Sequence, residues 1–224
     1  MPGPGSGALH DGLVRAARAA GVRDERLLKA IRDTPRARFV PESHLASAYW
    51  DTPIPLSHGQ VTTQPSLVAL MVDALALTGS ETVLEIGTGH GYQTALLARL
   101  AAHVVSIERW PDMARQARDN LAAEGAENVE LVVGDGTLGL PGRAPYDAVI
   151  VCAAHPEVPP PLVAQLRAGG RLVQPIGPGG AEDVELYERS EHGFVRVGLV
   201  VPARFVRLYG TYGFPSEVPL GDAG

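Results

Sequence analysis

Short, near-continuous apolar runs alternate with amphipathic stretches through the middle of the chain. Thr82–Ile86, Val104–Ile107, Val129–Val133, Tyr146–Val151 and Arg171–Ile176 are five such runs, rich in Val, Ile and Leu. Gln93–Ala101, Pro111–Glu124 and Pro160–Leu166 fall between them with apolar residues at helical spacing. Strands without polar alternation are buried on both faces, as in a parallel sheet covered by helices. The pattern predicts an α/β fold with a doubly wound, mostly parallel sheet of the seven-stranded type. Near the end, Val184–Glu188, Phe194–Val200 and Phe205–Leu208 follow one another without helices, so antiparallel pairing is expected there. Upstream, Leu13–Ala20 and Asp24–Asp33 read as amphipathic helices, and Ser66–Leu77 as a third, with Pro65 at its start and Gly79 beyond its end. Between them, Arg38–Thr63 is punctuated by Pro41, Pro53, Pro55 and Gly59 and is expected to be irregular.

Composition narrows the class. The chain has 224 residues, 45% of them hydrophobic, which suits one domain with a sizeable core. Nineteen basic against twenty-five acidic residues give a net charge of −6, which argues against a protein that grips a nucleic-acid backbone. The one cysteine, Cys152, excludes an internal disulfide and any multi-cysteine metal site, and no metal is expected. Met1–Gly7 has neither a basic nor an apolar segment of a secretory signal. The longest apolar stretch, Ser66–Leu77, is interrupted by Asp73 and is too short for a membrane span. A cytoplasmic protein is expected.

The chemistry is expected at the carboxyl ends of the strands. The first runs through Glu85 and Ile86 into Gly87-Thr88-Gly89-His90-Gly91-Tyr92 and then a helix. Such a turn lets a ligand approach the backbone, and the helix start offers unpaired N–H groups to an anion. The second strand ends in Glu108, about twenty residues on, where a carboxylate can accept from ribose hydroxyls. The third ends in Gly134-Asp135-Gly136, which places another carboxylate on the same rim. Together these favour a nucleoside-bearing ligand. The glycines at 87, 89 and 91 are one residue tighter than the dinucleotide fingerprint G-x-G-x-x-G, so S-adenosyl-L-methionine suits them better than NAD. Its methionine carboxylate would meet the turn, Glu108 the ribose, Asp135 the adenine amine and Glu85 the ammonium group.

With these segments in place, the sequence resembles the protein-L-isoaspartate O-methyltransferase family. The resemblance rests on Arg38-Phe39-Val40-Pro41, Gly59-Gln60-Val61-Thr62-Thr63-Gln64-Pro65, Val83–Gln93, Ser106-Ile107-Glu108-Arg109 and Gly134-Asp135-Gly136. Ala144–Asp147, Ala153–Pro159, Gly169–Val173 and Arg204-Phe205-Val206 extend it, so it spans about Leu27–Leu208. It implies a Rossmann-like methyltransferase fold in a single domain: residues 9–80 form a helical, substrate-facing segment and 81–210 the cofactor-binding sheet, with 1–8 and 214–224 as loose tails. It also implies methyl transfer from S-adenosylmethionine to the free α-carboxylate of L-isoaspartyl residues in damaged proteins and peptides. The ester then collapses without the enzyme to a succinimide that reopens partly to aspartate. Cofactor contacts are implied for Gln60, Glu85, Gly87, Thr88, Gly89, His90, Gly91, Tyr92, Glu108, Arg109, Asp135 and Gly136. The active-site position is Thr63, where the family carries serine.

The residues agree with that chemistry on their own terms. A carboxylate with a pKa near 4 is already an ionised nucleophile at neutral pH, so no general base is needed. Neither a Ser-His-Asp nor a Cys-His arrangement is evident. Cys152, after an apolar run, is read as packing, and His58 and His155 as loop residues near the site. Three alternatives stay open: methylation of an ordinary aspartate in a dedicated peptide, a non-catalytic nucleoside-binding module, and a dinucleotide oxidoreductase. A monomer acting on polypeptide, not on nucleic acid or membrane, is expected.

Overall fold

The computed structural model describes residues 6–215. Two helices, α1 (Ser6–Ala20) and α2 (Glu25–Asp33), open the chain, with Asp24 capping α2 by accepting from the Arg26 amide at 2.8 Å. A largely irregular stretch follows, containing only 3-10 turns and a two-stranded ribbon, β1 (Ile54–Pro55) with β2 (Val61–Thr62). Helix α3 (Pro65–Ala74) leads into the main sheet. Its strands and helices are β3 (Thr82–Ile86), α4 (Tyr92–Leu100), β4 (His103–Glu108), α5 (Pro111–Ala123), β5 (Val129–Val133), β6 (Tyr146–Val151), α6 (Pro160–Gln165), β7 (Leu166–Ile176), β8 (Glu182–Ser190) and β9 (Gly193–Ala203).

The strand order is β5-β4-β3-β6-β7-β8-β9. The first five lie parallel, and β8 runs antiparallel to both β7 and β9, so the doubly wound, mostly parallel seven-stranded sheet is as expected. Helices α1–α4 cover one face, with Leu13, Leu28, Met71, Leu96 and Val83 in a single core. Leu84, Ile107, Val149, Leu162 and Leu172 form the core on the other. The apolar runs of β3, β4 and β6 reflect this two-sided burial.

Three expectations need correction. Phe205–Leu208 is not a strand of the sheet; Arg207 makes one isolated bridge to Ala154. Strand β7 begins at Leu166, directly after α6, because the Gly169-Gly170 pair admits the irregular register against β6. Helix α3 stops at Ala74, and Ala76 takes a left-handed turn (φ 52°) before Gly79. Of the two expected tails, α1 already begins at Ser6 and Phe214 pairs with Tyr209; residues 1–5 and 216–224 lie outside the described residues.

Candidate active site

Strand order reverses between β3 and β6, and open α/β sheets bind ligands beyond the carboxyl ends at such a switch point. A cavity of about 970 Å³ lies there. One wall is the turn after β3, Gly87–His90, anchored by the Gly87 amide on the Ile107 carbonyl at 2.8 Å. Gly87, Gly89 and Gly91 hold φ of 93°, 58° and 96°, which glycine alone adopts without strain. Gly136, from the turn after β5, also lines the cavity, and a Cβ there would fall 2.4 Å from Ile86 Cγ2.

Glu108 ends β4 on the cavity wall. Its Oε2 accepts from the Gly89 amide (2.9 Å) and its Oε1 from the Trp110 amide (3.0 Å). Burial pushes this carboxyl above its usual range, against the pull of those amides and of Arg109. A carboxylate accepts about four hydrogen bonds, so Glu108 keeps capacity for a ligand hydroxyl. Ile107, Trp110 and Met113 supply apolar wall beside it, suited to a flat base.

The opposite side comes from the β1–β2 ribbon: Leu56, Gln60, Val61, Thr62 and Thr63 all line the cavity. Its tip, His58, is left-handed (φ 55°), which is rare for a residue with a side chain. The His58 ring stacks on Trp110 (centroids 3.9 Å apart, 4° between planes), and its Nε2 donates to the Asp112 carboxylate at 2.9 Å. Burial alone would raise the Asp112 carboxyl, but His58 and nearby amides bring it below its ordinary value.

Two charged side chains, one buried and one half-buried, fix the ribbon's base. The Arg36 guanidinium, fully buried, donates to the carbonyls of Ala48, Trp50 and Thr52 and to Thr62 Oγ1, all within 2.9–3.0 Å. Asp51 accepts from the Ser66 amide (2.8 Å), the Ser66 hydroxyl (2.8 Å) and Gln64 Nε2 (2.9 Å). Asp51 therefore caps the start of α3. Thr63 does not, and its hydroxyl makes no hydrogen bond among the described residues.

Most of the expected residues converge here: Gln60, Thr63, Gly87, Thr88, Gly89, His90, Tyr92, Glu108, Arg109 and Gly136 line the cavity. Three do not. Gly91 sits behind the turn as the N-cap of α4, against Leu121 and Ala117. Glu85 is fully buried beneath the turn, and its carboxylate accepts from Gln93 (2.9 Å), Thr94 (2.5 Å) and Ser106 (2.6 Å). Burial raises its pKa to about 7, against those three donors. Asp135 does not line the cavity, and its carboxylate is engaged within the protein: Oδ1 accepts from the Thr137 amide and hydroxyl, and Oδ2 from the Thr211 amide at 2.7 Å. His58 reaches the site only through Trp110, while the His155 ring packs on Phe214. Cys152 lines the cavity, but burial drives its thiol pKa well up, as befits packing and not nucleophilic attack.

Sequence reasoning missed Leu56, Trp110, Met113, Tyr209, Arg36 and Asp51. Trp110 alone carried a local signal, two residues beyond the strand-end Glu108. The cavity fits a nucleoside cofactor on an observation of its own. Tyr92 Oη, Gln93 Oε1 and Trp110 Nε1 are buried without a hydrogen-bond partner among the described residues, and all three residues line it. Buried polar atoms left unpaired are uncommon and call for a partner.

A parallel sheet ending in an antiparallel hairpin, with a glycine turn and a strand-end glutamate at the switch point, defines the class of Rossmann-like, S-adenosylmethionine-dependent methyltransferases. Residues 8–213 match the family model described as protein-L-isoaspartate(D-aspartate) O-methyltransferase. The chain belongs to that family. A protein-L-isoaspartate O-methyltransferase of Methanoculleus marisnigri is 51% identical over 202 residues, covering 90% of this chain and 91% of its own. One of Anaeromyxobacter dehalogenans is 51% identical over 190 residues, covering 84% of this chain and 91% of its own. A solved structure of a protein-L-isoaspartate O-methyltransferase superposes with a TM-score of 0.82 at 31% identity, covering 91% of this chain and 67% of that one. The fold is shared further with a Plasmodium falciparum protein in complex with S-adenosyl-L-homocysteine, at TM-score 0.77 and 20% identity, over 91% of this chain and 98% of that one.

Proposed function

We propose that this protein methylates the free α-carboxylate of L-isoaspartyl residues in damaged proteins and peptides, using S-adenosylmethionine. The observation that carries the reading is one cavity with the glycine turn and Glu108 on one side and the unengaged hydroxyl of Thr63 on the other. When bound, the cofactor supplies an electrophilic methyl group on a positively charged sulfur. The turn's backbone amides would hold its carboxylate and Glu108 its ribose. Thr63 donates to the substrate carboxylate and orients it; like the family's serine it keeps a donor, while its extra methyl stiffens χ1. The nucleophile arrives ionised, so the protein's task is alignment and the exclusion of water. Val61, Ile107 and Val206 supply apolar wall for that.

The reading includes a monomer that acts in the cytoplasm on polypeptide. A net charge of −6 disfavours nucleic acid, and no described helix is long and apolar enough to cross a membrane. Labelled S-adenosylmethionine with matched peptides carrying isoaspartate or aspartate tests it. Label should enter the isoaspartyl peptide alone as a base-labile ester. Label in the aspartyl peptide alone would transfer the reading to a dedicated aspartate methyltransferase.

A further inference from the structure

Two grooves leave the cavity, one on each side of the segment Phe205–Val206 that lines both. The first, of about 1120 Å³, runs from Thr63 between α3 and the end of β9. Its lining is mostly apolar (Pro53, Leu67, Leu70 and Val201 among others), and its one charged residue is Arg204. Arg204 is exposed and, among the described residues, makes no ion pair and no hydrogen bond. The second, of about 1320 Å³, passes His58 and is lined by Arg109 and Arg207, again without a carboxylate among the described residues. The nearest acidic partner of its histidine, Asp112, is already engaged by His58.

The chain as a whole is acidic, with a net charge of −6, so two grooves whose described lining holds no carboxylate, at the mouth of its active site, run against its average. An exposed guanidinium beside apolar wall offers a carboxylate a planar pair of donors while its stem packs on the groove. Opposite charge at a rim selects partners and speeds encounter more than it adds affinity. We infer that these grooves select isoaspartyl segments flanked by acidic side chains, with Arg204 as a specificity-determining residue on the side next to Thr63. The inference rests on the proposed activity and deepens it. A basic neighbour of the isoaspartate meets Arg204 or Arg207 and is disfavoured; an acidic neighbour pairs with it.

The test uses the full-length protein and two sets of isoaspartyl peptides, with Glu, Gln or Lys immediately before, or immediately after, the isoaspartate. On at least one side kcat/KM should fall in the order Glu, Gln, Lys, spanning about fivefold at low salt, as exposed ion pairs allow. At about 0.5 M NaCl the span should shrink below about twofold. Arg204→Glu should reverse the order on one side of the isoaspartate and leave the other side's order in place. Arg204→Gln should flatten that same side, and serves if the Glu variant does not fold. Calorimetric binding of S-adenosylhomocysteine reports an intact cofactor site in each variant. Equal kcat/KM for all peptides would overturn the inference and leave the activity standing, as would a Glu preference that survives both Arg204 variants. Failure of the parent protein to methylate any isoaspartyl peptide would overturn the activity and the inference with it.

Discussion

The two sides of the active site are built by different means. On the cofactor side, the key residues sit at the ends of parallel strands whose neighbours fix them: β3 gives the glycine turn, β4 gives Glu108, β6 gives Cys152. On the substrate side, residues 48–63 contain almost no regular structure, and their backbone carbonyls gather around the buried Arg36 while Asp51 accepts from Ser66 and Gln64. Sheet hydrogen bonds hold the first; two charged side chains hold the second. An irregular loop is thus tied down by side-chain hydrogen bonds in place of sheet pairing, and keeps a shape that strand geometry does not offer.

The largest expected effect breaks this contrast at its weakest point. Arg36→Ala leaves the Ala48 and Thr52 carbonyls without their donor, removes one of two from the Trp50 carbonyl and the Thr62 hydroxyl, and opens a cavity under the ribbon. It should cost about 3–5 kcal/mol in denaturant unfolding, the range for stranding buried polar groups and vacating core volume. Hydrogen exchange in the surviving fold should speed up across residues 48–62 well before β3 and β4.

On the cofactor side the corresponding weak point is Glu85. Its pKa rises from an ordinary 4.5 to about 7 in the fold, so the native state binds the proton more tightly than the unfolded chain. The stability that Glu85 contributes is therefore fully present below pH 4.5, is lost as pH rises from 4.5 to 7, and changes no further above. Glu85→Gln should remove that decline, which is on the order of 2–3 kcal/mol, as read from denaturant midpoints across the window. A parental slope in the variant would show that another group titrates.

Glu108→Ala should weaken S-adenosylhomocysteine binding by about 1–3 kcal/mol in calorimetry, the cost of a hydrogen bond to a charged group. Asp51→Ala, by contrast, should leave that affinity alone, lower stability by about 1 kcal/mol through the lost cap of α3, and slow methylation. Equal losses of cofactor affinity in both variants would erase the division between the two sides.

Legibility in the sequence follows the same division. Strands β3, β4 and β6 announce themselves because burial on both faces leaves no polar alternation, and the glycine turn and Glu108 follow at fixed offsets from them. Position along a strand does not settle what a side chain contacts, however: Asp135 sits on the right rim and spends its carboxylate on Thr137 and Thr211. The lengths of β8 and β9 were masked by their charged outward positions, such as Glu185 and Arg196. On the substrate side, Thr63 and Gln60 were readable only through resemblance to relatives. Arg36 and Asp51 act on partners 12 to 26 residues away, and no local spacing signals such a contact.

Thr63 stands where the two sides meet, and Asp51 has relieved it of any capping duty. The central claim is that one side holds the cofactor while the other orients the substrate carboxylate. The most direct test is Thr63→Val, assayed for methylation of an isoaspartyl peptide and for S-adenosylhomocysteine affinity in the same preparation. The account predicts a fall in rate of about tenfold or more, cofactor affinity within about twofold of the parent, and stability within about 0.5 kcal/mol. A parental rate in the Val variant, or a rate that falls only in step with lost cofactor affinity, would contradict it.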